Sequence, residues 1–321
     1  MTTKVTITGS GCPIPDAHRA GPGVLVEHDG LSILIDAGRS TVQRLAGAQV
    51  WPPDLGVVLV THHHSDHLIG LQDVVHTRWV MDRTRSATPL PVVVPAGPSA
   101  DFVNEMMHPW RHDHTRWVMD RTRSATPLPV VVPAGPSADF VNEMMHPWRH
   151  DLAVRSEHTG RPVDVATELI AFDLPDEPAE VWCKDNVVVL AGPVHHEPVH
   201  PAVGYRIETP DGVVAISGDT IVCDEVAALA QGADVLVYEA MRFALIEALP
   251  KHRRFILDYH ADTRLIGAQA RDLAIPTLVL THLIPPPDTE AEVAGFVADV
   301  RDAGYEGDVI VANDLDAVTI G

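Results

Sequence analysis

The sequence predicts an α/β fold in one domain, residues 1–321, on three observations. Apolar runs of strand length recur from Val5 to Val311 and alternate with stretches of helical periodicity. Two hairpin signals, Asp29-Gly30 and Asp211-Gly212, each separate a pair of those runs. Histidines or aspartates follow several runs directly, and no linker-like segment divides the chain. The domain is therefore read as two halves, each with a sheet and helices.

The elements follow in order. Val5-Thr6-Ile7 opens the first sheet, and the next loop, residues 9–16, carries Gly9, Gly11, Pro13 and Pro15. Val24–Val26 and Ser32–Ile35 form strands on either side of the Asp29-Gly30 turn. A helix opens over Thr41–Leu45, and Val57–Val60 is a buried strand. A single helix is expected from about Asp66 to Met81, with Leu68, Leu71, Val75 and Trp79 on its buried face. Pro91–Pro95 reads as a short strand, and Ser99 as the cap of the next helix. In that helix Val103, Met106, Met107 and Trp110 make an apolar stripe. Beyond residue 151 the expected strands are Val163–Phe172, Glu180–Cys183, Val187–Leu190, Tyr205–Glu208, Val213–Ile216, Val235–Tyr238 and Thr277–Thr281. A helix over Glu290–Val300 and a strand over Val309–Val311 close the pattern.

Residues 76–113 are repeated letter for letter as residues 114–151. The unit holds the end of a helix, a strand and a second helix, so one copy fills one place in the fold. Ordering 38 further residues costs on the order of 40–75 kcal/mol of backbone entropy. The second copy must offset this by burial, as an added piece of sheet, an excursion or an exchange between subunits. Its histidines His114, His146 and His150 read as duplicated background. Deleting residues 114–151 joins Asp113 to Leu152 and is expected to preserve both the fold and the metal content. Scattering mass and elemental analysis check this; an unfolded product would show that the second copy belongs to the core.

Composition narrows the function. At 45% hydrophobic residues the chain is not globally disordered. Its formal net charge of −21 argues against stable nucleic-acid binding, since phosphate recognition ordinarily uses a basic surface. Cys12, Cys183 and Cys223 show neither zinc-site spacing nor a disulfide framework. The N-terminus lacks a secretory h-region, and no run reaches the roughly 20 apolar residues of a membrane span. The cytoplasm is the expected location, with no membrane partner.

The richest segment is Thr61-His62-His63-His64-Ser65-Asp66-His67, directly after the Val57–Val60 run. In an extended chain His62 and His64 project to one side, while Asp66 and His67 fall at the following turn and helix start. Imidazole and carboxylate suit a borderline divalent ion such as zinc. Further candidates follow later strands: His195 and His196 after Val187–Leu190, Asp219 after Val213–Ile216, and His282 after Thr277–Thr281.

These residues, in this order, resemble the metallo-beta-lactamase superfamily, especially its RNase Z-like and arylsulfatase-like branches. The resemblance spans nearly the whole chain apart from one repeat copy. It implies a four-layer αββα sandwich with two metals, one on His62, His64 and His196, the other on Asp66, His67 and His282. Asp219 would bridge them, and His195 competes with His196. Zinc is the expected ion, with manganese or iron as alternatives. The Glu239 and His260 positions resemble a Glu–His pair beside the metals, His260 serving the leaving oxygen and Glu239 orienting it. Asp66 counts with them as a catalytic residue. Asp36 would orient a ligand histidine. Gly9, Gly11 and Gly38 would let loops approach the metal floor. A homodimer is also implied.

The expected reaction is hydrolysis of a phosphodiester or related small anionic ester by a metal-held hydroxide. Sulfate-ester hydrolysis, lactone or beta-lactam opening, true tRNA 3′ processing and non-enzymatic metal binding are the alternatives. Only Arg206–Ser217 separates Gly204-Tyr205 from Gly218-Asp219, which leaves no space there for a long RNA-binding arm. With the acidic charge, this argues against tRNA as substrate.

Overall fold

The computed structural model describes residues 2–81, 90–96, 98–100, 154 and 167–321. Two seven-stranded sheets make up its centre. The first contains β1 (Thr3–Gly9), β2 (Gly23–His28), β3 (Leu31–Ile35), β4 (Leu55–Leu59), β5 (Leu90–Pro95), β6 (Thr167–Phe172) and β14 (Ala317–Ile320). Their order is β14-β1-β2-β3-β4-β5-β6. The second contains β7 (Ala179–Lys184), β8 (Val187–Pro193), β9 (Val203–Thr209), β10 (Gly212–Ile216), β11 (Val235–Met241), β12 (Thr277–Ile284) and β13 (Asp308–Val311). It runs β13-β12-β11-β10-β9-β8-β7. Both predicted hairpins form, β2 with β3 and β9 with β10. Strands β3 to β6 and β10 to β13 pair in parallel.

The sheets face each other through alternate residues. Val24, Val26, Ile33, Ile35, Val57 and Leu59 of the first meet Val189, Ile207, Val214, Val235 and Val237 of the second in one apolar cluster. The intervening Leu25, Leu34 and Val58 point the other way and are also buried. On that side α1 (Thr41–Gly47) packs against β1 and α3 (Leu71–Met81), and the short α2 (Ser65–Leu68) precedes α3. The second sheet is covered by α4 (Asp224–Ala230), α6 (Thr263–Asp272) and α7 (Glu290–Asp302), with α5 (Phe243–Glu247) near its end. Val226, Ile266, Phe296 and Val300 of those helices cluster with Leu236, Leu278 and Leu280. Each such large apolar side chain contributes about 1.5–3 kcal/mol by leaving water. Helix, sheet, sheet and helix thus form the predicted four layers.

Several boundaries differ from expectation. The helix foreseen over 66–81 is two helices, because the chain turns at Ile69-Gly70 and the Gly70 amide donates to the Ala37 carbonyl (2.8 Å). Ser99 lies inside the helical residues 98–100 rather than ahead of them. The last strand is β14, a weak alternation that pairs with β1 and not with its sequence neighbours. The strand that enters the sheet between β4 and β6 is Leu90–Pro95, from the first copy of the repeat. The second copy, the helix carrying Val103 to Trp110, and residues 163–166 of the expected strand lie outside the described residues.

Two hydrogen bonds across the sandwich lock the strand end that feeds the histidine motif. The buried Tyr205 hydroxyl of β9 donates to the Val60 carbonyl at 2.6 Å, and the Val203 amide to the Thr61 carbonyl at 3.0 Å. Buried polar groups satisfied in this way rigidify the backbone at the site.

Candidate metal centre

Parallel strands place their following loops at one edge, so ligands distant in sequence converge there. The loop after β3 brings Asp36, and the turn after β4 brings His62, His64, Asp66 and His67. The loop after β8 brings His196, and the loop after β10 brings Asp219. Strand β11 itself carries Glu239, and β12 carries His282 within its span. Asp262 caps α6 by accepting from the Arg264 amide (3.1 Å), which leaves His260 in the turn just before the helix. Asp36 (φ 58°) and His282 (φ 46°) are both left-handed. That conformation is costly for a side-chain-bearing residue and persists only where its surroundings impose it. A Cβ on Gly38 would lie 2.5 Å from the Asp66 carbonyl oxygen, so only glycine lets the β3 loop lie against the ligand turn.

The donor atoms fall into two groups that share one carboxylate. His62, His64, His196 and Asp219 form the first, and Asp66, His67 and His282 the second. In the first, His64 Nδ1 lies 3.0 Å from His62 Nε2 and 3.2 Å from His196 Nε2. In the second, Asp66 Oδ2 lies 3.7 Å from His67 Nε2 and 3.5 Å from His282 Nε2. Asp219 Oδ2 stands between them, 3.9 Å from His62 and His196, 3.4 Å from His67 and 3.3 Å from His282.

This donor set fits divalent metal. Ligand atoms about 2.0–2.1 Å from one tetrahedral ion lie about 3.3–3.4 Å apart, near the spacings seen here. Asp66 Oδ2, His67 Nε2 and His282 Nε2 are buried and have no hydrogen-bond partner among the described residues. Such orphaned polar atoms cost free energy unless something else engages them. Burial would disfavour charge on His67, but Asp219 and Asp36 hold its pKa well above the ordinary value. A dication can replace that proton. Burial and neighbouring histidines push His62 far down, and burial with His196 lowers His64 to about 4, so both stay neutral and able to ligate. Burial opposes the ionised form of Asp66, yet His282 and His67 hold it at about 2. Asp219 is likewise kept ionised against burial by His282 and His67.

A second layer holds the imidazoles. Asp36 Oδ2 accepts from His67 Nδ1 at 2.7 Å and from the Thr61 hydroxyl at 2.8 Å, while Asp36 Oδ1 accepts from the Thr61 amide at 2.9 Å. The Thr61 hydroxyl also lies 3.0 Å from His62 Nδ1, and His196 Nδ1 donates to the Tyr259 carbonyl at 2.9 Å. Asp36→Ala is therefore expected to weaken metal affinity about 10–100-fold while the chain stays folded. Competition with a chromogenic chelator measures this; an unaltered affinity would remove Asp36 from the supporting role.

Beside the metal groups, Glu239 Oε1 accepts from His260 Nδ1 (2.9 Å), the Ala261 amide (3.0 Å) and the Thr220 amide (3.2 Å). Burial alone would lower the His260 pKa, but the Glu239 carboxylate raises it to about 9. The His260 ring stacks on His282 at 5.5 Å.

The foreseen residues His62, His64, Asp66, His67, His196, Asp219, Glu239, His260 and His282 thus meet at one place. His195 does not. It is part-exposed, pairs with Glu225 at 3.1 Å, and groups with Cys223 instead. His63 belongs to none of these groupings of described residues. Thr61 and the Tyr259 carbonyl were not foreseen. A threonine at a strand end carries no distinguishing signal, and every residue has a carbonyl.

The match to the family described as the metallo-beta-lactamase superfamily covers residues 19–89. Ribonuclease Z of Mycobacterium bovis (strain BCG / Pasteur 1173P2) is 32% identical over 320 residues, covering 99% of this chain and 98% of that protein. The structure is similar to that of YhfI from Bacillus subtilis, a metallo-beta-lactamase fold protein, with TM-score 0.64, 18% identity and coverage of 99% and 100%. The short form of human tRNase Z gives TM-score 0.62 at 18% identity, covering 99% of each chain. The chain belongs to the metallo-beta-lactamase superfamily, in its RNase Z-like branch. It is a metal-dependent hydrolase.

One expectation is overturned. The sequence argued for a small anionic ester and against a nucleic-acid partner, but the near-full-length relatives are named as ribonucleases. Two inferences failed for physical reasons. Net charge averages over the whole surface and says little about the field at one site. The missing arm is real, since β9 and β10 join by a tight hairpin. Yet a relative matched over 98% of its length carries the ribonuclease name at this chain's own size. As for membranes, no helix among the described residues is long and apolar enough to cross one.

Proposed function

We propose that this chain is a ribonuclease that hydrolyses a phosphodiester at the 3′ side of tRNA precursors. The observation that carries the reading is the near-full-length similarity to ribonuclease Z in a chain where Asp219 Oδ2 lies 3.3–3.9 Å from histidines of both donor groups. His62, His64 and His196 would hold one ion, Asp66, His67 and His282 the other, with Asp219 bridging. Zinc suits these nitrogen and oxygen donors, and manganese or iron also accept them. Two divalent ions held there would supply polarisation of a phosphoryl oxygen and a lowered pKa for water.

The remaining work falls to the chain's own side chains. Glu239 binds His260 Nδ1, so the movable proton sits on His260 Nε2. As water's oxygen bonds to phosphorus and the P–O bond to the ribose breaks, that proton passes to the departing ribose oxygen. The buried Asp219 and Asp66 remain ionised at neutral pH and keep the cluster's charge in balance.

Purified protein should be offered precursor tRNA, aryl phosphodiesters, sulfate esters and lactones side by side. Chelator-sensitive, salt-sensitive cleavage 3′ of the tRNA body is expected. Turnover of small esters with intact precursor tRNA would overturn the RNA reading and leave a small-molecule hydrolase.

A further inference from the structure

We propose that the segment Pro250–Tyr259 is the surface that holds the RNA chain beside the metal centre. In this assignment Phe255 stacks on a base, and Lys251 and Arg253 pair with backbone phosphates. The inference rests on the ribonuclease reading and names which residues of this chain grip the substrate.

Four consecutive basic residues, Lys251-His252-Arg253-Arg254, stand in a chain of net charge −21. They occupy two short 3₁₀ turns, Lys251–Arg253 and Phe255–Asp258. Other cations of the protein are engaged internally: Lys4 with Glu27, Arg44 with Asp314, Arg242 with Asp299. Lys251 and Arg253 are exposed, and their side chains make no hydrogen bond or ion pair with any described residue. Glu247 ahead of the segment and Asp258 within it form no ion pair with Lys251 or Arg253 among the described residues. Unpaired cations in an acidic surface form a local positive field, which is what a polyanion meets.

The segment is anchored. Ile256 and Leu257 pack against the buried cluster of Cys12, Met241, Ile246 and Ile284. Arg254 Nε donates to the Leu249 carbonyl at 2.7 Å. Against that fixed base Phe255 points outward, 59% exposed. Its ring lies 6.3 Å from that of Tyr259. The Tyr259 ring in turn lies 5.0 Å from His260 and 5.4 Å from His196. The Tyr259 carbonyl is the partner of His196 Nδ1. A row of aromatic rings, tilted or edge-on to one another, therefore leads from the basic rim to the metal ligands. Aromatic faces interleaved with cations are the chemistry that recognises an unpaired nucleotide strand without regard to sequence.

The test compares full-length wild type with Phe255→Ala and with Lys251→Ala/Arg253→Ala, all metal-loaded and matched in metal content. KM and kcat are measured for precursor tRNA across a salt series and for bis(p-nitrophenyl) phosphate. Phe255→Ala should raise KM for RNA by about 5- to 100-fold. The double variant should raise it about tenfold near physiological salt and flatten the salt slope by about one to two. KM for the small diester should shift less than about twofold in both. Equal RNA KM values in wild type and variants, with wild-type cleavage intact, would overturn this assignment and leave the ribonuclease reading standing. Wild type that turns over the small diester and leaves RNA uncut would overturn both. A parallel loss on both substrates would show that the segment supports the centre's structure rather than the RNA.

Discussion

Asp219→Ala is expected to empty both metal sites and abolish hydrolysis together. Its Oδ2 lies 3.3–3.9 Å from ligands of both groups, His62, His67, His196 and His282. Removing it leaves four buried imidazoles crowded without a compensating anion, so each ion loses a ligand and its charge balance. The fall in rate should exceed the roughly 10²–10³-fold that loss of one electrostatic donor costs. Elemental analysis and single-turnover assays of the purified variant check this. Full metal with slowed turnover would assign Asp219 to chemistry alone and remove the bridge.

His260→Ala is expected to behave differently. It should keep most of the metal and slow turnover by about 10²–10⁴-fold, the range of a lost general acid. The pH profile gives a second readout. Protonated His260 is the active form, and its pKa is raised to about 9 by Glu239. Activity should therefore fall on the alkaline side. Bound dications oppose the Glu239 charge, so the limb of the loaded enzyme lies below about 9. Glu239→Gln should move that limb to lower pH again. The same pairing stabilises the fold fully below the ordinary histidine pKa of about 6.5. That contribution is lost as pH rises through the folded value. An alkaline limb that survives His260→Ala would remove the residue from proton transfer.

Much of the site was legible in the sequence because its ligands follow hydrophobic runs. Strand ends of one sandwich can meet at a common edge, and the resemblance to the metallo-beta-lactamase superfamily, rather than spacing, grouped His62, His64, Asp66, His67, His196, Asp219 and His282. Asp36 was foreseen as a support, and its bond to His67 Nδ1 is present. Other features had no local signal. Gly70 ends the ligand helix because a carbonyl from the β3 loop takes its amide, a tertiary contact that helical periodicity does not encode. Strand β14 gains its place from β1, more than 300 residues away in sequence. His195 and His196 are adjacent letters, and only the backbone path after β8 decides which one enters the cluster. The substrate was misread for a related reason. Whole-chain charge conceals local runs such as Lys251-His252-Arg253-Arg254.

The most direct measurement of the central claim is the metal content of protein purified without added metal, together with its activity before and after chelation. Two donor groups sharing one carboxylate predict about two equivalents of transition metal per chain. Activity should be lost on chelation and restored when the metal is returned. Fewer than one equivalent of every transition metal, with hydrolysis indifferent to the chelator, would contradict the account.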